Sequence, residues 1–196
     1  MIRAATCCLL SLLIACASSP APNVLSTSLF PSGWQPIEAE ENKNLRVDFN
    51  GDGIPDFAGY LTNAVSARAL FLRLSGASGA ETYLLSQEFS HVSLKYNPKN
   101  RTLSLTENSG SSSSGESTEA KFRYEKGDFV LIGATKEEYT YGNICGENES
   151  CGSDVYHFNY LTGEVEENVG SHKSRKKEKK ADLVKLKEFR FEMIRP

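Results

Sequence analysis

Leu45-Arg46-Val47-Asp48-Phe49-Asn50-Gly51-Asp52-Gly53-Ile54-Pro55-Asp56-Phe57-Ala58-Gly59-Tyr60-Leu61 can be read as helix-loop-helix or as strand-turn-strand, and the choice decides the fold. Residues 48–56 put oxygen-bearing side chains at positions 1, 3, 5 and 9 around a Gly at position 6. This is the spacing of a calcium loop. Ca²⁺ takes about six to eight hard oxygen ligands, and alternate residues of a curled loop can turn theirs inward. The candidate ligands are the side chains of Asp48, Asn50, Asp52 and Asp56, with the backbone carbonyl of Ile54 at position 7. Gly53 permits the sharp bend. A helix-loop-helix site needs a bidentate Glu at position 12, but Gly59 stands there, and Pro55 obstructs any exiting helix. The flanks 45–47 and 57–61 are short, with β-branched and aromatic residues, so the reading is a strand-to-strand calcium turn. A plain Asn-Gly/Asp-Gly turn without metal is the competing reading; it does not require the third carboxylate, Asp56.

Working outward, alternation of period two dominates. Leu70, Leu72 and Leu74 share a face. Val92, Leu94 and Tyr96 lead through Asn97-Pro98-Lys99-Asn100 to Leu103 and Leu105, and Phe122 and Tyr124 lead through Lys126-Gly127-Asp128 to Phe129–Ile132. Tyr156, Phe158 and Tyr160 alternate before the Thr162-Gly163 turn, and Phe189, Phe191 and Met193 alternate near the end. No long apolar run of period 3.6 follows the N-terminal segment. The pattern predicts a mainly β fold, an antiparallel sandwich or strongly bent sheet, forming a single domain over residues 29–196. Ser109–Gly115 reads as a mobile loop.

Asp-x-Asn-x-Asp-Gly-x-x-Asp followed by a hydrophobic strand resembles the calcium turn of FG-GAP and VCBS-type repeats, and small bacterial envelope proteins that carry a single copy. The match covers about Leu45 to Thr62, with weaker echoes at Phe122–Tyr124, Gly127–Gly133 and Asn159–Gly163. Such loops recur once per blade in propellers, whereas this chain has one, so a closed propeller is not expected.

Arg3 precedes an apolar run from Ala4 to Ala15, the length of a signal-peptide core rather than a bilayer span. Leu13-Ile14-Ala15-Cys16 resembles the lipobox of bacterial lipoproteins, which implies cleavage after residue 15 and acylation of Cys16. An ordinary cleavage site near Ala17–Ser19 is the alternative. Ala17 follows the Cys where an inner-membrane retention signal would carry Asp, so the resemblance implies a bacterial outer membrane anchor, facing the periplasm or the surface. Residues 16–28 then form a flexible tether. With Cys7 and Cys8 removed and Cys16 lipidated, Cys145 and Cys151 remain in a polar Gly-rich stretch. An exported chain meets an oxidising compartment, which favours a Cys145–Cys151 disulfide over a redox pair or a zinc site.

The formal net charge is −3, but it is polarised: residues 173–196 hold ten Lys/Arg and four Asp/Glu, against eleven and twenty-one over residues 16–172. The run His172–Lys180 could attract anionic lipid or a phosphate-rich polymer; the competing reading is a solvated loop between strands. No aromatic residue interleaves with it for base stacking, so nucleic acid is not expected. His91, His157 and His172 lack motif neighbours, and Gly76-Ala77-Ser78-Gly79-Ala80 falls one residue short of a nucleophile elbow.

The sequence therefore favours a non-enzymatic outer-membrane lipoprotein. Its calcium-stiffened β domain would bind or scaffold an envelope protein or polymer. The alternatives are an enzyme acting on envelope polymers with a structural calcium site, and an anionic lipid or polymer binder acting through residues 172–180.

Overall fold

The structure, a computed structural model, describes residues 29–37, 44–76, 79–111, 114–140, 153–180 and 182–194. The chain divides into two units after Pro31, and the architecture below is that of the second, residues 32–196. Cys16, the tether, Cys145 and Cys151 lie outside the described residues.

Twelve strands form among the described residues: β1 Trp34–Pro36, β2 Leu45–Val47, β3 Asp56–Asn63, β4 Arg68–Leu74, β5 Glu81–Ser86, β6 Ser93–Asn97, β7 Thr102–Gly110, β8 Ser114–Glu125, β9 Asp128–Thr140, β10 Ser153–Asn159, β11 Glu164–Val169 and β12 His172–Lys177. No α-helix occurs among the described residues. The expected antiparallel β architecture is present as two sheets. In the five-stranded one β3 pairs with β4, and β4 with β5, while β1 and β2 share the other edge of β3 at its two ends. The seven-stranded sheet is a plain meander in the order β6 to β12.

Local chemistry explains the connections. Lys126 and Gly127 both have positive φ, 52° and 93°, the two-residue geometry whose twist matches that of the flanking strands β8 and β9. At the β10–β11 turn, the Asn159 side-chain oxygen accepts from the N–H groups of Leu161 and Thr162, and Gly163 takes the positive φ.

Side chains from both sheets meet in one core: Ala58, Tyr60, Leu70 and Leu72 from the smaller, Leu103, Leu105, Ala120, Phe122, Phe129, Leu131 and Ala134 from the larger. Phe129 stands edge-on to Phe49, Tyr83 and Tyr124 at centroid distances of 5.6, 5.2 and 5.3 Å. Such pairs add about 0.5–1.5 kcal/mol each beyond the burial of their area.

Two β-bulges adjust the faces. Between β4 and β5 the register skips Tyr83, which turns into the core. Between β8 and β9 it skips Ile132, so the inward positions run Phe129, Leu131 and then Ala134.

Three expectations are corrected. Ser109–Gly115 is mostly strand, because β7 runs to Gly110 and β8 begins at Ser114; a backbone ladder needs no apolar side chains. The run from His172 is not a loop up to Lys177 but the exposed edge strand β12. Phe189, Phe191 and Met193 form no strand: Lys185 makes a single bridge to Val130, and Phe191–Met193 is a 3-10 turn. Phe189 and Phe191 are buried against Phe89, while Met193 is 51 % exposed.

Candidate metal centre

Residues 48–56 leave β2 and enter β3 as an irregular loop between two strands, as the flanking residues predict. The helix-loop-helix alternative is excluded, because the flanks are the antiparallel strands β2 and β3. At the twelfth position, Gly59, a Cβ would stand 2.1 Å from the Asn44 side-chain oxygen.

The loop is organised by carboxylates that accept main-chain N–H groups. Asp48 Oδ1 accepts from Gly51 and Asp52 at 2.5 and 3.1 Å, and its Oδ2 from Gly53 at 2.9 Å. Asn50 Oδ1 accepts from the Asp52 N–H at 3.0 Å, and Asp52 Oδ1 from the Ile54 N–H at 2.8 Å. Asp56, only 2 % exposed, accepts from the Phe49 N–H at 2.8 Å and the Ser75 N–H at 2.6 Å. Ser75 follows β4, so Asp56 fastens the loop to the end of a neighbouring strand.

At both Asp48 and Asp56 burial is the largest single influence, and it acts to raise the pKa. At Asp48 the N–H groups of Gly53, Gly51 and Asp52, helped by the Arg101 charge, outweigh burial and hold the carboxyl below its ordinary range. At Asp56 burial, reinforced by the nearby Asp52 charge, prevails over the N–H groups of Ser75, Phe49 and Asn50, and the pKa is raised. The buried acid thus carries an electrostatic penalty for ionising that a cation would relieve.

Four of the five predicted positions lie in this loop, and the fifth, Asp56, is the first residue of β3. Among the described residues, however, no three His, Cys, Asp or Glu side chains gather as a ready-made metal cluster. What the loop offers a hard cation is donor chemistry. An ionised carboxylate offers about four lone-pair directions. The hydrogen bonds use three at Asp48 and two at Asp52, leaving hard oxygen donors in hand.

Three participants escaped the sequence reading. Phe49, an aromatic residue inside a polar nonapeptide, is 3 % exposed and packs on Tyr96 and Phe129 of the larger sheet. Arg101 Nη2 donates to the Phe49 carbonyl at 3.3 Å. The Ser75 N–H supplies one of the two hydrogen bonds that hold Asp56. Only Phe49 left a signal, its apolar character at a loop position; Arg101 and Ser75 act across 52 and 19 residues.

The histidines stand apart. His91 Nε2 lies 2.7 Å from Glu107, His157 Nδ1 lies 3.2 Å from the Thr135 hydroxyl, and His172 is exposed at the start of β12.

The geometry defines an antiparallel two-sheet β protein with an acidic inter-strand corner. No protein-family model, curated protein or solved structure matches the chain.

Proposed function

We propose that this protein is a lipid-anchored, non-enzymatic module of the bacterial outer membrane. Its β domain is stiffened by Ca²⁺ at residues 48–56 and serves to bind or scaffold an envelope component. The observation that carries the reading is the position of the loop. Phe49 is wedged against the larger sheet, while Asp56 is hydrogen-bonded to the end of β4. A cation held by the side chains of Asp48, Asn50, Asp52 and Asp56 and the Ile54 carbonyl would neutralise the clustered charge and rigidify that junction.

The same acids suit proton transfer poorly. Asp48 is held ionised by N–H donors, and Asp56, whose pKa is raised, is buried away from any substrate. A general acid needs both a proton and access.

Thermal unfolding of the full-length protein with Ca²⁺, with Mg²⁺ and with chelator tests the metal. Ligand at a hundredfold excess over Kd stabilises by about 2.7 kcal/mol. For a domain of this size that corresponds to a rise of about 5–10 °C. An unchanged Tm at 10 mM Ca²⁺, with no heat of binding, would overturn the calcium reading. The anchor is tested by labelled palmitate, which should enter the parent and not Cys16→Ser; equal labelling of both would overturn it.

A further inference from the structure

We propose that the free edge of β12 is a strand-addition site for an acidic, extended segment of another protein. This goes beyond the calcium reading and does not depend on it. Among the described residues β12 ends the seven-stranded sheet, and all six of its residues are exposed. Its pairing with β11 runs from Glu164 opposite Lys177 to Val169 opposite His172. The Glu178 N–H donates to the Gly163 carbonyl at 2.7 Å, which continues the ladder by one pair. Hydrogen-bonded pairs alternate along an antiparallel ladder, so His172, Ser174 and Lys176 direct their main-chain groups to β11. Lys173, Arg175 and Lys177 direct theirs outward, a row of donors and acceptors ready for another strand.

The side chains say which strand can come. A second copy of β12 would set Lys and Arg against Lys and Arg, and like charges directly opposite are destabilising. The edge is therefore guarded against its own kind. β11 displays the opposite case. Lys173 pairs with Glu166 at 2.8 Å, Arg175 with Glu164 at 3.4 Å and Lys176 with Glu167 at 2.6 Å. The six cations of residues 172–180 meet one Glu in the run and three on β11, so an excess of two positive charges remains. A strand with carboxylates at alternate positions would repeat on the outer side what β11 does on the inner. Main-chain hydrogen bonds would supply affinity and charge would supply selection.

The probe is a glycine-flanked peptide of the β11 sequence, Glu-Val-Glu-Glu-Asn-Val. It is titrated into the full-length protein while backbone amide exchange is followed. Binding should slow exchange at residues 173, 175 and 177. It should weaken at least tenfold when the peptide's Glu residues become Gln, and likewise in the protein variant Lys173→Gln/Arg175→Gln/Lys177→Gln. The amides of Ser174 and Lys176, which face β11, report that β12 remains paired in that variant. If those two lose protection, the Glu-to-Gln peptide on the parent protein decides the matter. Equal binding of a peptide of the same charge interrupted by Pro would overturn the proposal, as would binding of anionic vesicles in place of the peptide. Absence of protection at residues 173, 175 and 177 would do the same.

Discussion

The Arg101 guanidinium, from the residue just before β7, donates to the main-chain carbonyl of Phe49 in the acidic loop at 3.3 Å, and Gly51 lies directly beneath it. A Cβ on Gly51 would stand 2.6 Å from Arg101 Nη2, and Gly51 also has φ of +83°. Gly51→Ala therefore meets two obstacles, one steric and one conformational. Denaturant unfolding should show a loss of about 1–3 kcal/mol for Gly51→Ala and about 1–2 kcal/mol for Arg101→Ala. The double variant should cost less than the sum, because removing the guanidinium relieves the clash and leaves only the φ penalty. Strict additivity would show that Arg101 moves aside freely.

Asp56→Ala should cost about 2–4 kcal/mol, because it leaves the Phe49 and Ser75 N–H groups without their acceptor in a buried site. Asp56→Asn keeps one acceptor oxygen and should cost roughly half as much. Equal losses for the two variants in urea titrations would contradict this division.

The two acids should give opposite pH slopes. Asp48 is depressed below its ordinary 3.8, so its contribution is present above that pH and is lost as pH falls through the lowered pKa. Asp56 is raised above 3.8, so its contribution is complete below that pH and declines as pH rises through the raised pKa. Unfolding free energies measured from pH 3 to 7 should therefore show the cost of Asp48→Asn growing with pH and that of Asp56→Asn shrinking. Parallel profiles would rule out this assignment.

Tyr83 bridges the two sheets: its hydroxyl accepts from the Phe129 N–H at 3.0 Å and lies 3.2 Å from Asp128 Oδ1, while Lys185 approaches the other oxygen, Asp128 Oδ2, at 2.8 Å. Burial first, with the Asp128 charge adding to it, pushes its pKa above the ordinary phenol range. Tyr83→Phe keeps the ring and leaves a buried N–H unpaired, so it should cost about 1–3 kcal/mol. The native protein should also keep Tyr83 protonated through pH 10, as ultraviolet titration can follow. A neutral substitution would mean that another acceptor replaces the hydroxyl.

What could be read from the sequence was whatever buried a side chain. Leu70 and Leu72, Leu103 and Leu105, and Phe122 with Phe129 advertise strands because every second residue enters the core. The Lys126-Gly127 and Thr162-Gly163 turns were legible for a related reason, since their residues permit the backbone conformation required. β12 and the Ser/Gly tip of β7 and β8 bury little and are held by main-chain ladders, so the alternation that betrays a strand is missing there. At the C-terminus the opposite failure occurs. Phe189 and Phe191 are two apart and both buried, and Arg190 between them is extended, yet a turn over residues 186–188 and the 3-10 turn Phe191–Met193 on either side leave no room for a strand. The ligand spacing of the acidic loop was plain in the sequence; its ties to Arg101 and Ser75 depend on pairings formed far along the chain.

The extra residue at Ile132 makes β9 a strand of two phases. Before it, odd-numbered residues Phe129 and Leu131 face the core; after it, even-numbered Ala134 does. Removing that one residue would splice the halves into one regular alternation, with Leu131, Gly133 and Ala134 still opposite Phe122, Lys121 and Ala120 of β8, and no side chain would change face. What would go is the local kink and added twist of the bulge. Lys136 would keep its place between Glu116 and Glu138, 3.0 Å from each. Ile132 thus works as a spacer that absorbs an odd residue, letting a strand one residue longer than its partner keep both halves facing the same way.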